Sequence, residues 1–117
     1  MSETVHYKGK IQLVPKLENE TLEDVCKRIM NEYDCFELDS YCNTWREFMA
    51  DELYERYVVI NDDVYEVTDK KYFSDEYDIF KAHKVSDTEY EYEVMYYNGG
   101  CSFEEAIEEA FNQMNGE

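Results

Sequence analysis

The side chains able to do acid, base or ligand chemistry in this chain are overwhelmingly carboxylates. Twenty-nine Asp and Glu stand against 11 Lys and Arg in 117 residues, a net charge of −18. Carboxylates in pairs can serve glycoside hydrolysis or hold a divalent cation, but each role demands a spacing. None is present. Asn61-Asp62-Asp63, and Asp75-Glu76 with Asp78, lack the calcium-loop pattern and its central glycine. The imidazoles are His6 and His83, both in stretches with strand alternation. There a histidine beside glutamates is usually a cross-strand partner rather than a general base. Cys26, Cys35, Cys42 and Cys101 have neither CxxC nor zinc-site spacing. They read as reduced, core-like thiols rather than a disulfide framework. Gly99-Gly100 is an isolated pair, not a phosphate loop, and Glu104 and Glu105 just after it repel an anion. No nucleophile elbow and no His-Glu-x-x-His pattern occurs. The expectation is a protein that is not an enzyme and uses no cofactor and no metal.

The carboxylates become informative through the elements that position them. From Tyr90 to Tyr96, Tyr90, Tyr92, Val94 and Tyr96 alternate with Glu89, Glu91, Glu93 and Met95. Alternation predicts a strand with a Tyr/Val face toward a core and a Glu face toward water. Asn98-Gly99-Gly100 predicts a turn that uses positive φ. Ser102 with Glu105 is a capping-box pattern, and Phe103, Ala106, Ile107, Ala110, Phe111 and Met114 form an apolar stripe at helical spacing. Glu104, Glu105, Glu108 and Glu109 lie off that stripe.

Earlier in the chain, Thr4–Val14 reads as a strand bulged at Gly9. Thr21 with Asp24 caps a helix running to about Tyr33, with Leu22, Val25, Cys26, Ile29, Met30 and Tyr33 on its buried side. Asp34–Cys42 reads as a loop holding Phe36, Leu38 and Tyr41 inward. Thr44 with Glu47 starts a second helix, with Trp45, Phe48, Met49, Leu53 and Tyr54 apolar. Tyr57–Ile60 and Val64–Val67 read as a hairpin about Asn61-Asp62-Asp63. Asp69–Glu76 reads as a polar connection and Tyr77–Val85 as a further strand. A three-residue loop at Ser86-Asp87-Thr88 would set Lys81 opposite Glu93 and His83 opposite Glu91. The sum is an α+β fold: an antiparallel sheet of about four to five strands with two to three helices packed on one face, as a single domain over 1–117.

Charge narrows the partners. Residues 1–60 carry 13 acids and 7 bases, a net −6, and residues 61–117 carry 16 acids and 4 bases, a net −12. Such a surface disfavours direct binding to nucleic acid or to an anionic membrane, and it suits a basic protein surface. At 44% hydrophobic and 16% aromatic residues the chain is not a disordered polyanion. With no signal peptide and no transmembrane run, a cytoplasmic protein is expected.

A wet acidic face usually confers only solubility. Here Glu104/Glu108 and Glu105/Glu109 are like-charge pairs at i,i+4, each costing about 0.2–0.5 kcal/mol. Glu89, Glu91 and Glu93 repeat at about 6.8 Å along one strand face. Such rows approximate the negative lattice that nucleic-acid-binding proteins neutralise with Lys and Arg. In size, charge, lack of catalytic residues and the strand–NGG–capped-helix ending (Tyr90 to Phe111), the chain resembles small acidic phage-encoded anti-defence proteins, including anti-CRISPR and DNA-mimic proteins. That resemblance implies a stoichiometric inhibitor that acts in the host cytoplasm and occupies the nucleic-acid channel of a host nuclease. The expected partner-binding residues are Glu89, Glu91, Glu93, Glu104, Glu105, Glu108 and Glu109, with Asp75, Glu76 and Asp78. One alternative is an interaction or assembly module binding through exposed aromatics among Tyr33, Phe36, Tyr41, Tyr72 and Phe73. Another is a small enzyme or metal-dependent carboxylate site.

Overall fold

The computed structural model describes residues 4–72, 80–97 and 99–115. The fold is α+β: one antiparallel five-stranded sheet and three helices. In chain order the elements are β1 (Thr4–Leu13), α1 (Leu22–Glu32), α2 (Trp45–Glu52), β2 (Tyr57–Ile60), β3 (Asp63–Tyr72), β4 (Phe80–Lys84), β5 (Glu89–Tyr97) and α3 (Phe103–Asn115). The strand order is β2-β3-β1-β5-β4, so the first strand is central and each hairpin adds to one side of it. The contacts group into two compact units, Met1–Gln12 with Val67–Glu117, and Leu13–Glu66.

In the unit formed by Leu13–Glu66, α1 presents Val25, Cys26, Ile29 and Met30 to a core shared with Phe48 and Met49 of α2 and with Tyr57, Val59 and Val64. Thr21 and Asp24 make the reciprocal capping box expected at the start of α1. Its end was not legible as a motif, because the residue after the cap is Asp34 rather than Gly. Asp34 nevertheless takes φ 64°. The N–H of Cys35 then reaches Met30 O and that of Asp34 reaches Asn31 O, both at 3.0 Å. This is a Schellman ending. It turns Cys35 and Leu38 onto the core, while Phe36 and Tyr41 are 65% and 94% exposed, not inward as expected. Tyr54 is likewise exposed beyond Leu53, the cap of α2. Arg28 of α1 clamps the segment before the helix. Its guanidinium donates to both Glu20 carboxylate oxygens, at 3.0 and 2.9 Å, and to Pro15 O. Glu23 of α1 caps α2 by accepting from the N–H groups of Trp45 and Arg46, at 2.9 and 3.0 Å. Asn61 and Asp62 both have positive φ, 51° and 72°, between the paired Ile60 and Asp63. The hairpin therefore closes in two residues as a type I′ turn.

In the other unit, α3 buries Phe103, Ala106, Ile107, Ala110 and Phe111, each at most 4% exposed. The stripe lies on β4 and β5. Tyr92 meets Phe103 edge-on at 5.6 Å, and Tyr90 meets Phe111 at 4.8 Å. Burying each such aromatic or Ile side chain contributes roughly 1.5–3 kcal/mol before the entropy of ordering the chain opposes it. Ser102 fixes the start of α3: its Oγ accepts from Glu105 N–H and donates to Glu105 Oε1, both at 3.2 Å.

Three local expectations change. β3 runs to Tyr72 instead of ending near Val67, so the first part of the expected polar connection is strand. The β1–β5 pairing passes through Gly9, opposite Tyr92, without a bulge. Glycine is needed there for a different reason: a Cβ on Gly9 would stand 1.8 Å from the carbonyl oxygen of Asp69, which also accepts the Tyr92 hydroxyl at 3.0 Å. The turn before α3 closes through Gly100 N–H to Tyr97 O, and no described glycine has a positive φ.

Candidate functional site

Two rows of glutamates carried the sequence argument, and the structure treats them differently. The first is on β5. Val85 N–H donates to Glu89 O, which leaves Ser86–Thr88 as a three-residue loop. That loop sets the expected register, with Lys81 opposite Glu93 and His83 opposite Glu91. On the other flank β1 sets Lys8 opposite Glu93 and Lys10 opposite Glu91. Side chains paired across neighbouring strands share a face, so Glu93 stands between Lys8 and Lys81, and Glu91 between Lys10 and His83. His83 Nε2 lies 3.0 Å from Glu91 and the buried His6 Nε2 lies 3.3 Å from Glu93. Glu89, Glu91 and Glu93 are half-buried. The expected bare strand row is thus a mixed lattice of both signs. The β4 neighbours were expected, but the sequence concealed Lys8 and Lys10 because β1 lies some 80 residues before β5.

The second row is on α3. The apolar stripe faces the sheet, so helical geometry turns Glu105, Glu108 and Glu109 outward, and all three are exposed. Glu104 is half-buried. Among the described residues, Glu105, Glu108 and Glu109 make no ion pair with Lys, Arg or His. The other contacts they make are short: Glu105 with the Ser102 cap, and Gln113 donating to Glu109 at 3.2 Å. Their field reaches Cys101 at the foot of the helix, where burial first, and then Glu105 and Glu109, push the thiol above its ordinary value. Cys42 is pushed up too, by desolvation and then by Asp39, Asp51, Glu47 and Glu52. Both shifts run opposite to the activation a nucleophilic thiolate needs.

Asp75, Glu76 and Asp78 lie outside the described residues, as does Phe73 of the aromatic alternative. Tyr33, Phe36, Tyr41 and Tyr72 are exposed, at 38%, 65%, 94% and 68%. Among the described residues, no group of three His, Cys, Asp or Glu side chains is arranged to hold a metal ion. No described helix is long and apolar enough to cross a membrane. No family model, curated protein or solved structure matches the chain.

Among the described residues, the lysines of the C-terminal half form no ion pair with Glu105, Glu108 or Glu109. Lys70 sits over the rings of Tyr7 and Phe103, at 4.1 and 5.1 Å, a cation–π placement. Lys84 pairs with Asp87 at 3.1 Å, and Lys71 stands 3.8 Å from Asp69. Lys81 is on the β4 face opposite Glu93.

Proposed function

We propose that this chain is a non-enzymatic acidic binding protein whose α3 carboxylates dock on a basic, nucleic-acid-binding surface of another protein and block it. In this reading it is an inhibitor of the phage anti-defence type, as a DNA mimic or an anti-CRISPR protein would be. The observation that carries the reading is the outward row of Glu105, Glu108 and Glu109. It is exposed, fixed on a helix whose opposite side is fully buried, and without an ion pair among the described residues. Like charges held together this way cost stability in the isolated protein. A cationic partner reverses that cost. The same field steers a basic partner inward and makes association fast and salt-sensitive. The partner of this chemistry is a nuclease or other nucleic-acid-binding enzyme of the host.

The test is capture of bacterial nucleases on the immobilised protein at low and at high salt, followed by DNA cleavage assays on what is retained. The expected result is inhibition that competes with DNA and weakens with salt. It should fall sharply in the Glu108→Lys/Glu109→Lys variant. Inhibition unaffected by that variant removes α3 from the interface.

The exposed ring of Tyr41, with Phe36 close in sequence, favours one second reading, an interaction module that binds through aromatic anchors. Binding that is insensitive to salt and lost in Phe36→Ala/Tyr41→Ala would select it.

A further inference from the structure

The face of β1, β5 and β4 that carries the mixed lattice holds a cavity of about 390 Å³, within the range of small-molecule sites. Its lining draws on Lys8, Lys10, Lys71 and Lys81. Those are four of the eight lysines of a chain with net charge −18. Against them stand Asp69, Glu91 and Glu93. With His83 neutral the lining carries one net positive charge, a local inversion of the molecule's sign. Chance scatter of so few bases over a polyanion does not favour such a concentration.

Two of these ammoniums are left over. Lys10 and Lys81 stand opposite Glu91 and Glu93 in the strand register. Yet neither forms an ion pair among the described residues, although the chain supplies 29 carboxylates. They flank β5 from opposite sides. Two strand spacings and two residues of rise separate their Cα atoms by about 12 Å. A cavity between two unpaired ammoniums, floored by carboxylates, suits a ligand with both an anionic group and hydrogen-bond donors. All the fixed cations lining it are lysines. Lysine holds phosphate as a point charge, whereas planar carboxylate recognition favours the arginine fork. We propose that this cavity binds a small phosphate ester bearing hydroxyl or amino groups, such as a nucleotide or sugar phosphate. The phosphate pairs with Lys10 and Lys81, and Glu91 and Glu93 accept from the ligand's donors. This site is on the sheet and does not depend on the α3 reading.

The experiment titrates the whole protein with adenosine 5′-monophosphate, ribose 5-phosphate, adenosine and inorganic phosphate, and follows backbone amide shifts. Saturable shifts confined to β1, β4, β5 and the end of β3 around Asp69 and Lys71 are expected for both phosphate esters, with adenosine silent and inorganic phosphate weaker. Lys10→Ala/Lys81→Ala should weaken phosphate-ester binding by about tenfold or more, equivalent to about 1.4 kcal/mol. Lys84→Ala, which removes a charge from outside the cavity lining, should leave it unchanged. Both variants are at exposed positions, and their unperturbed amide spectra report that they fold. Absence of saturable shifts with either ester overturns the proposal. So does equal binding by the Lys10/Lys81 variant, or equal loss in Lys84→Ala.

Discussion

The glutamates of β5 and those of α3 look alike in sequence and have opposite surroundings in the fold. On β5, Glu91 and Glu93 acquire Lys8 and Lys10 from one neighbouring strand and Lys81 and His83 from the other, while Glu89 stands opposite Gln12. On α3, Glu105, Glu108 and Glu109 acquire no cation among the described residues. The difference is topological. The neighbours of a strand residue come from other strands, which the chain can supply from any distance. The neighbours of an exposed helical residue are mainly three and four positions away on the same helix, and here those are more glutamates. A run of like charge on a strand is therefore weak evidence for an unbalanced face, and the same run on a helix is stronger evidence.

The sharpest way to break this contrast is to disturb the strand packing that gathers the lysines of β1. Gly9→Ala places a methyl against the Asp69 carbonyl, and we expect a loss of about 3 kcal/mol from overpacking. Denaturant unfolding measures it, and an unchanged midpoint would mean that the close approach at Asp69 is not maintained in solution. Next in size is the charge lattice itself. Glu91→Lys/Glu93→Lys sets like charges directly across both strand pairs and should cost about 1–2 kcal/mol. The matching change on the helix should have the opposite sign. Glu108→Lys/Glu109→Lys replaces two like-charge i,i+4 pairs by two attractive ones. It should stabilise by about 0.5–1 kcal/mol, read as a raised thermal midpoint that declines with added salt.

The final contrast is with a paired carboxylate elsewhere. Hydrogen bonds from Arg28, then the Leu17 N–H, hold the Glu20 carboxyl below its ordinary range. A carboxyl lowered in the folded state adds stability that is present above its unfolded pKa and lost as pH falls through the lower folded value. Acid unfolding of the wild type should include that loss, and Glu20→Gln should lack it. An identical acid profile for the two would mean that the Arg28 clamp does not persist in solution.

Much of the fold was legible because its signals are local. The Thr21–Asp24 box, the α3 stripe and the Tyr/Val alternation of β5 each lie within a dozen residues, and each placed its element. The β4–β5 register followed from a loop of three residues. What escaped is set by distant parts of the chain. The central place of β1 determines what stands beside Glu91 and Glu93, and no local pattern around Thr4–Leu13 announces it. The extension of β3 past Asp69 goes with the close approach of its carbonyl to Gly9, a contact across 60 residues. The exposure of Phe36 and Tyr41 follows from Asp34 adopting a left-handed conformation, a role the sequence would have advertised only had it been glycine. Of the candidate site, Glu105, Glu108 and Glu109 are exposed while Glu104 is half-buried, and Glu91 and Glu93 stand beside lysines that β1 brings from far along the chain.

The most direct measurement is a titration of the protein with an oligoarginine peptide at low salt, followed residue by residue through amide shifts. The account predicts perturbations concentrated at Glu105, Glu108 and Glu109, saturating and then lost at high salt, with Glu91 and Glu93 little affected. Perturbations centred on β5, or spread evenly over the acidic residues of the whole chain, would contradict it.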